Sequence, residues 1–155
     1  MTEREETGKD AKALVKRARA NFDTGSLTLE EVESMLNALP LDVTFVDTED
    51  TVRYFSKAKG RVFPRTKAII GRKVQMCHPS RSTHVVNKVI DDLKKGRRSS
   101  ADFWIDINHR KIYIRYFPVR NQTGKFLGVM EVTQDITDIK KIDGERRLLS
   151  ETGAT

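Results

Sequence analysis

The sequence predicts an α+β fold: a five-stranded antiparallel sheet with its helices inserted between strands two and three, plus N-terminal helices. Three observations lead there. Apolar and polar residues alternate with period two in five segments, two before residue 57 and three after residue 100. Between the two groups the pattern lengthens to helical spacing over about residues 79–95. Short turn signals join the strands within each group, which makes neighbouring strands antiparallel.

Residues 10–22 carry Ala11, Leu14, Val15, Ala18 and Phe22 on one stripe, so a first helix is expected there, ended by Gly25. Thr28-Leu29-Glu30-Glu31 reads as a capping box, with Glu31 at the third helical position. The helix that it opens, residues 28–39, has Leu29, Val32, Met35 and Leu36 as its apolar stripe and Pro40 as its stop. Both helices are too short to stand alone in water, so they pack on the sheet or on a second chain.

From Leu41 the period becomes two. Residues 42–46 and 51–56 form strands around a turn at 47–50. Residues 57–75 read as irregular, broken at Gly60, Pro64 and Gly71. Pro79 suits the first turn of a helix because its missing N–H has no intrahelical partner to lose there. That helix ends at Gly96. Strands at 101–107 and 110–119 flank Asn108 and His109, a two-residue hairpin turn. Residues 121–124 turn the chain into a last strand at 125–134. Asp135 or Thr137 is placed to cap a charged helix beginning at Asp138.

The 155 residues suit one domain with accessory helices. The net charge of +7 raises a nucleic-acid reading. The basic residues are dispersed among acidic ones, except in the short run Lys94-Lys95-Gly96-Arg97-Arg98, and no nucleic-acid-binding motif is present. A basic, solvated surface is the simpler account, and no nucleic-acid partner is expected. Cys77 is the single cysteine, so no disulfide framework exists, which suits a reducing cytosol. No apolar run approaches the roughly 20 residues of a membrane span, and the N-terminus lacks the apolar core of a signal peptide. A cytoplasmic protein without a membrane partner is expected.

Four segments occur in a telling order: Val43-Thr44-Phe45-Val46-Asp47, Ile70-Gly71-Arg72, His78-Pro79, and Phe126-Leu127-Gly128-Val129 leading to Gln134-Asp135-Ile136-Thr137. Together they resemble the PAS domain family over about residues 41–137. The last resembles the Asp-Ile-Thr signature that closes such a domain and opens its signalling helix. Ser56 departs from the Asn common at that position. The likeness is nearest to PAS domains that follow a hemerythrin-like helical domain. It implies N-terminal amphipathic helices at 1–40, a PAS domain at 41–137, and a signalling helix or tail at 138–155. It further implies a sensory role and a cavity between the sheet and the long helix.

Alternation then assigns the lining. Taking Glu131, Arg115, Asp102 and Asp106 as outward markers leaves Gly128, Met130 and Val132 inward on the last strand. The same rule places Ile112, Ile114 and Tyr116 inward on the strand before it, and Phe103, Ile105 and Ile107 on the one before that. Val85, Val86, Val89, Ile90 and Leu93 face them from the helix, and Phe63, Ile70, Val74 and Met76 close the side. Such a lining is apolar with few polar handles, as small-ligand sites are, although the same side chains also suit a filled core. Thr44, Val46, Trp104, Tyr113, Phe117, Leu127 and Val129 are expected on the opposite face. A patch of that size needs cover, from the N-terminal helices of the same chain or of a homodimer partner.

Cys77 and His78 are chemical suspects, but adjacent side chains diverge and no orienting group accompanies them. Cys77, His78 and His84 lack the spacing of a zinc site, and no metal is expected. If haem is the occupant, His78 and His84 are the candidate axial ligands. His84 points nearly opposite the Val86/Val89/Ile90 stripe, so it faces off the cavity unless the helix opens with an irregular turn. Flavin is disfavoured: Met76-Cys77-His78 departs from the flavin branch's Asn-Cys-Arg pattern, and Met130 stands where that branch has glutamine. No paired carboxylates, phosphate loop or Ser–His–Asp constellation is present, so no enzymatic activity is expected. The reading is a sensory module that binds a small ligand and dimerises. A haem-based gas or redox sensor and a ligand-free interaction module are its alternatives.

Overall fold

The computed structural model describes residues 12–15 and 17–147. Residues 12–15 are helical, but the expected helix over 10–22 does not continue. Arg19–Phe22 (β1) and Gly25–Thr28 (β2) instead pair as an antiparallel hairpin, with Asp23 and Thr24 at its turn. The Arg19 guanidinium bonds the Ser26 hydroxyl (3.0 Å) and carbonyl (2.8 Å) across it. The Asp23-Thr24-Gly25 turn chemistry outweighs a thin apolar stripe, because cross-strand pairing satisfies backbone groups that a helix ending there would orphan.

The capping box forms. Thr28 Oγ1 accepts from the Glu31 N–H at 3.1 Å, and the Thr28 N–H donates to the Glu31 carboxylate at 2.7 Å. It opens α1 (Leu29–Ala38), whose apolar stripe is divided: Val32 and Leu36 are half-buried, while Leu29 and Met35 stay exposed.

Five further strands build one sheet: β3 (Asp42–Asp47), β4 (Val52–Phe55), β5 (Ala101–Ile107), β6 (Arg110–Arg120) and β7 (Phe126–Asp135). All pairings are antiparallel, in the spatial order β4-β3-β7-β6-β5, so the first and last of these strands lie side by side. The β3–β4 turn is held by Asp47, whose carboxylate accepts from the N–H groups of Glu49 (2.9 Å) and Thr51 (3.0 Å). Asn108 and His109 both adopt positive φ (47° and 63°), the conformation of a primed two-residue turn. Gly128 is required where β7 crosses β3. Its φ is +152°, and a Cβ there would stand 2.1 Å from the Val46 carbonyl oxygen.

One face of the sheet is covered by α2 (Thr83–Lys94), which follows a short helical turn at Ser80–Ser82. Gly96 (φ 70°) ends it, and the Arg120 guanidinium donates to the Leu93 (3.2 Å) and Lys94 (2.9 Å) carbonyls, pinning the helix to β6. The basic run after it is not free of acidic neighbours: buried Asp92 binds Lys88 (3.2 Å), Arg97 (2.8 Å) and Arg98 (3.0 Å). Leu93 of α2 and Ile112 of β6 are fully buried.

The opposite face carries Arg115 between the rings of Tyr113 (5.0 Å) and Phe117 (5.4 Å), with Trp104 largely exposed beside them. α1 lies toward its β3–β4 end. Asn37 accepts from the Lys57 N–H at 2.7 Å, and burial together with the nearby Glu33 carboxylate raises the Tyr54 pKa.

After β7 no capped helix starts. Asp135 accepts instead from the N–H (3.0 Å) and hydroxyl (2.5 Å) of Thr137. Thr137 in turn accepts from the Lys111 N–H at 2.9 Å, so the pair ties the end of β7 to the start of β6. Among the described residues, 138–147 contain only a short turn at Ile139–Lys141, and residues 148–155 of the expected tail lie outside the description. Among the described residues no helix is long and apolar enough to cross a membrane.

Candidate ligand cavity

Strand register creates a polar row on the α2 side of the sheet. Glu131 of β7 stands opposite Thr44 of β3 on one flank and Tyr116 of β6 on the other. Above this row the α2 stripe Val85, Val86, Val89 and Ile90 spans a cavity of about 200 Å³. Val46, Val52, Val74 and Val129 wall one side, and Phe103 and Ile114 the other.

The irregular segment between β4 and α2 supplies the counter-charge. Arg65 Nη2 meets Glu131 Oε1 at 3.0 Å, with the two side chains only 15% and 11% exposed. A second pair lies close by: Arg61 approaches the Asp42 carboxylate at 3.9 Å, with exposures of 11% and 5%. Asp42 is held by the Val62 N–H (2.9 Å), and the Arg61 guanidinium also caps the Ser56 carbonyl (2.5 Å). Arg65 and Glu131 therefore balance at one end of a mostly apolar cavity, and Arg61 and Asp42 balance outside its lining.

Two buried polar atoms on lining residues have no protein partner, Thr44 Oγ1 and Arg65 Nε. Burial, and then the facing Glu131 carboxylate, push the Tyr116 hydroxyl well above the usual phenol range, so it is a neutral donor. The Tyr116 ring packs edge-on against Phe103 at 5.9 Å. His78 is half-buried at the mouth, and burial lowers its pKa.

The structure brings together some of the expected lining and corrects the rest. Val74, Val86, Ile90, Ile114 and Tyr116 line the cavity, and so does His78. Met130 and Val132 do not: Glu131 points inward, so its neighbours point to the other face. The same one-residue phase error moves Thr44, Val46 and Val129 from the outer face into the cavity wall. Charge alone marks Glu131 as outward, whereas Glu131 is buried because Arg65 pairs with it. Ile70 (43% exposed) and Met76 (76% exposed) lie in turns whose side chains face solvent. Phe63 is half-buried, and Ile105 is exposed toward the open end of β5; neither lines the cavity. His84 is exposed and outside the lining, because the turn at Ser80–Ser82 leaves it on the solvent side of α2.

Arg65 and Glu131 were the residues missed. Glu131 sits between Met130 and Val132 in a strand that the sheet order flanks on both sides, so even a charge is enclosed there, and alternation alone does not say which of the two faces is inward. Arg65 carried no signal, since nothing in an irregular segment fixes the direction of a side chain.

A PAS domain family profile matches residues 32–137, beginning inside α1 and ending at the Asp135–Thr137 clamp. Among solved structures, a C-terminal domain from Streptococcus mutans is 34% identical, with a TM-score of 0.78, and the alignment covers 83% of this chain and 99% of that one. The PAS domain of a Colwellia psychrerythraea protein is 16% identical, with a TM-score of 0.54 and coverage of 71% and 98%. The Vibrio cholerae VqmA dimer, described in the absence of target DNA in connection with DNA binding by LuxR-type receptors, is 20% identical, with a TM-score of 0.53 and coverage of 82% and 59%. No curated protein matches the sequence.

Proposed function

The chain belongs to the PAS domain family, and from that premise we propose that it is a cytoplasmic sensory module that binds a small ligand between its sheet and α2 and works as a homodimer. The observation that carries this is the cavity of about 200 Å³, mostly apolar, with one buried polar end. Occupancy alters signalling only if the ligand binds two arrangements of the domain with different affinity. α2 and the irregular segment enclose the cavity, so they are the parts whose position the ligand biases. The reading is of a binding module rather than an enzyme. Its finer affiliation is with PAS domains that follow a hemerythrin-like domain. The lone Cys77 suits a reducing compartment.

Haem does not fit these residues. His78 stands at the cavity mouth, but about 200 Å³ lies below the range of drug-sized ligand sites, which starts near 300 Å³. His84 faces away. Support for the homodimer comes from α1, which leaves Leu29 and Met35 exposed, with Leu39 just beyond its end. An exposed apolar stripe on a capped helix is a docking surface of the kind that a second copy covers.

Native mass spectrometry of the purified full chain tests the reading. A co-purified small molecule, lost when the chain is unfolded, is expected. A mass equal to the polypeptide alone, with no stabilisation of the chain by any compound in a small-molecule screen, removes the ligand-binding reading and leaves an interaction module.

A further inference from the structure

We infer that the occupant of this cavity is an uncharged molecule that presents a hydrogen-bond donor and acceptor side by side on an apolar frame. This rests on the ligand-binding reading above and names the chemistry of that ligand. The charge balance comes first. Glu131 is matched by Arg65 and Asp42 by Arg61, so the polar end carries no net charge. His78 at the mouth adds none at neutral pH, because burial favours its uncharged form. An anion entering here draws Arg65 away and leaves Glu131 buried without its partner. A cation does the reverse to Arg65. Either leaves an uncompensated buried charge.

The unmet hydrogen bonds come second. Arg65 Nε is a donor without a partner, and Thr44 Oγ1 is a hydroxyl without one, both on cavity-lining residues. Glu131 accepts from Arg65 and from the Tyr116 hydroxyl, and the four lone-pair sites of its carboxylate leave further acceptor capacity. Donor and acceptor therefore stand next to each other along the Thr44–Glu131 pair of the sheet. A purely hydrocarbon ligand leaves both unmet, which is costly in a buried site. Apart from Tyr116 beside Glu131 and from Cys77, His78 and Ser82, the remaining walls are valine, isoleucine and phenylalanine, which accept a flat apolar body.

Four matched aromatic probes test this on the full chain by ligand-observed NMR titration at neutral pH: benzamide, benzoate, benzylamine and toluene. Benzamide, uncharged with adjacent donor and acceptor, is expected to bind at least about tenfold more tightly than the other three. Benzoate or benzylamine binding as tightly as benzamide overturns the charge argument, and toluene binding as tightly overturns the hydrogen-bond argument. No binding by any of the four removes the ligand-cavity reading itself, a different failure. Glu131→Gln leaves the Arg65 charge unmatched. It is expected to move the benzoate-to-benzamide ratio toward benzoate by at least about tenfold, since a charge then gains a counter-charge. An unchanged ratio in a folded Glu131→Gln chain contradicts the assigned role of the pair. The wild-type ranking decides the matter if that variant does not fold.

Discussion

Arg65 and Glu131 join a segment without regular structure to the central strand of the sheet, at 3.0 Å and nearly out of contact with water. A buried pair of this kind is worth little compared with a well-packed apolar replacement, yet much compared with one partner left alone. Glu131→Leu or Arg65→Met alone is therefore expected to destabilise the fold by about 3–5 kcal/mol in urea titration. The double variant Arg65→Met/Glu131→Leu should recover most of that loss. A double variant as unstable as the worse single one contradicts this account.

Gly128 supplies a steric prediction. A Cβ at this position meets the Val46 carbonyl oxygen at 2.1 Å and the Phe45 ring at 2.8 Å. Gly128→Ala should cost at least about 1–3 kcal/mol from overpacking, in addition to its backbone strain. Gly124→Ala adds a Cβ into open space at φ +82° and should cost only the left-handed penalty of about 1–2 kcal/mol. Thermal denaturation of the two variants checks the order.

The His78 environment predicts a pH dependence. Burial depresses its pKa in the folded state, so below the ordinary histidine value the unfolded chain binds the proton more readily. Stability contributed by neutral His78 is present above that value and is lost as pH falls through it toward the folded pKa. Denaturant midpoints should therefore drop between pH 7 and pH 5 more steeply in wild type than in His78→Gln. Equal slopes place the titrating group elsewhere.

Thr137 should act as a clamp. Thr137→Val removes the acceptor for the Lys111 N–H and the donor to Asp135, at about 1–3 kcal/mol. Hydrogen exchange at the Lys111 amide should accelerate, while exchange in the middle of β6 stays slow. Unchanged protection at Lys111 means that another group holds the strand end.

The dimer proposal is tested on α1. Met35→Glu places a charge on the exposed stripe and should convert the dimer to a monomer in light scattering, as should deletion of residues 1–38. Deletion of residues 144–155 should leave the dimer intact. The reverse result moves the seam to the C-terminal tail.

The sheet, its turns and α2 were legible because each carries a local signal: period-two alternation, Asn108-His109 at a primed turn, and valines at helical spacing before Gly96. The phase of β7 was not. Alternation fixes which residues share a face but not which face is inward, and a glutamate such as Glu131 reads locally as a surface charge. Its partner lies 66 residues away in an irregular segment, beyond the reach of any local pattern. The N-terminal hairpin was missed for the opposite reason: a strong turn at Asp23-Thr24-Gly25 overrode a weak helical stripe.

The Asp135–Thr137 clamp also fixes a heading. Because Thr137 is fastened to the first residues of β6, the chain leaves the sheet at an angle set by two strands at once. A swivel at Ile136 is not available while those bonds hold. A change in the twist between β6 and β7 therefore re-aims the point at which the chain leaves the sheet.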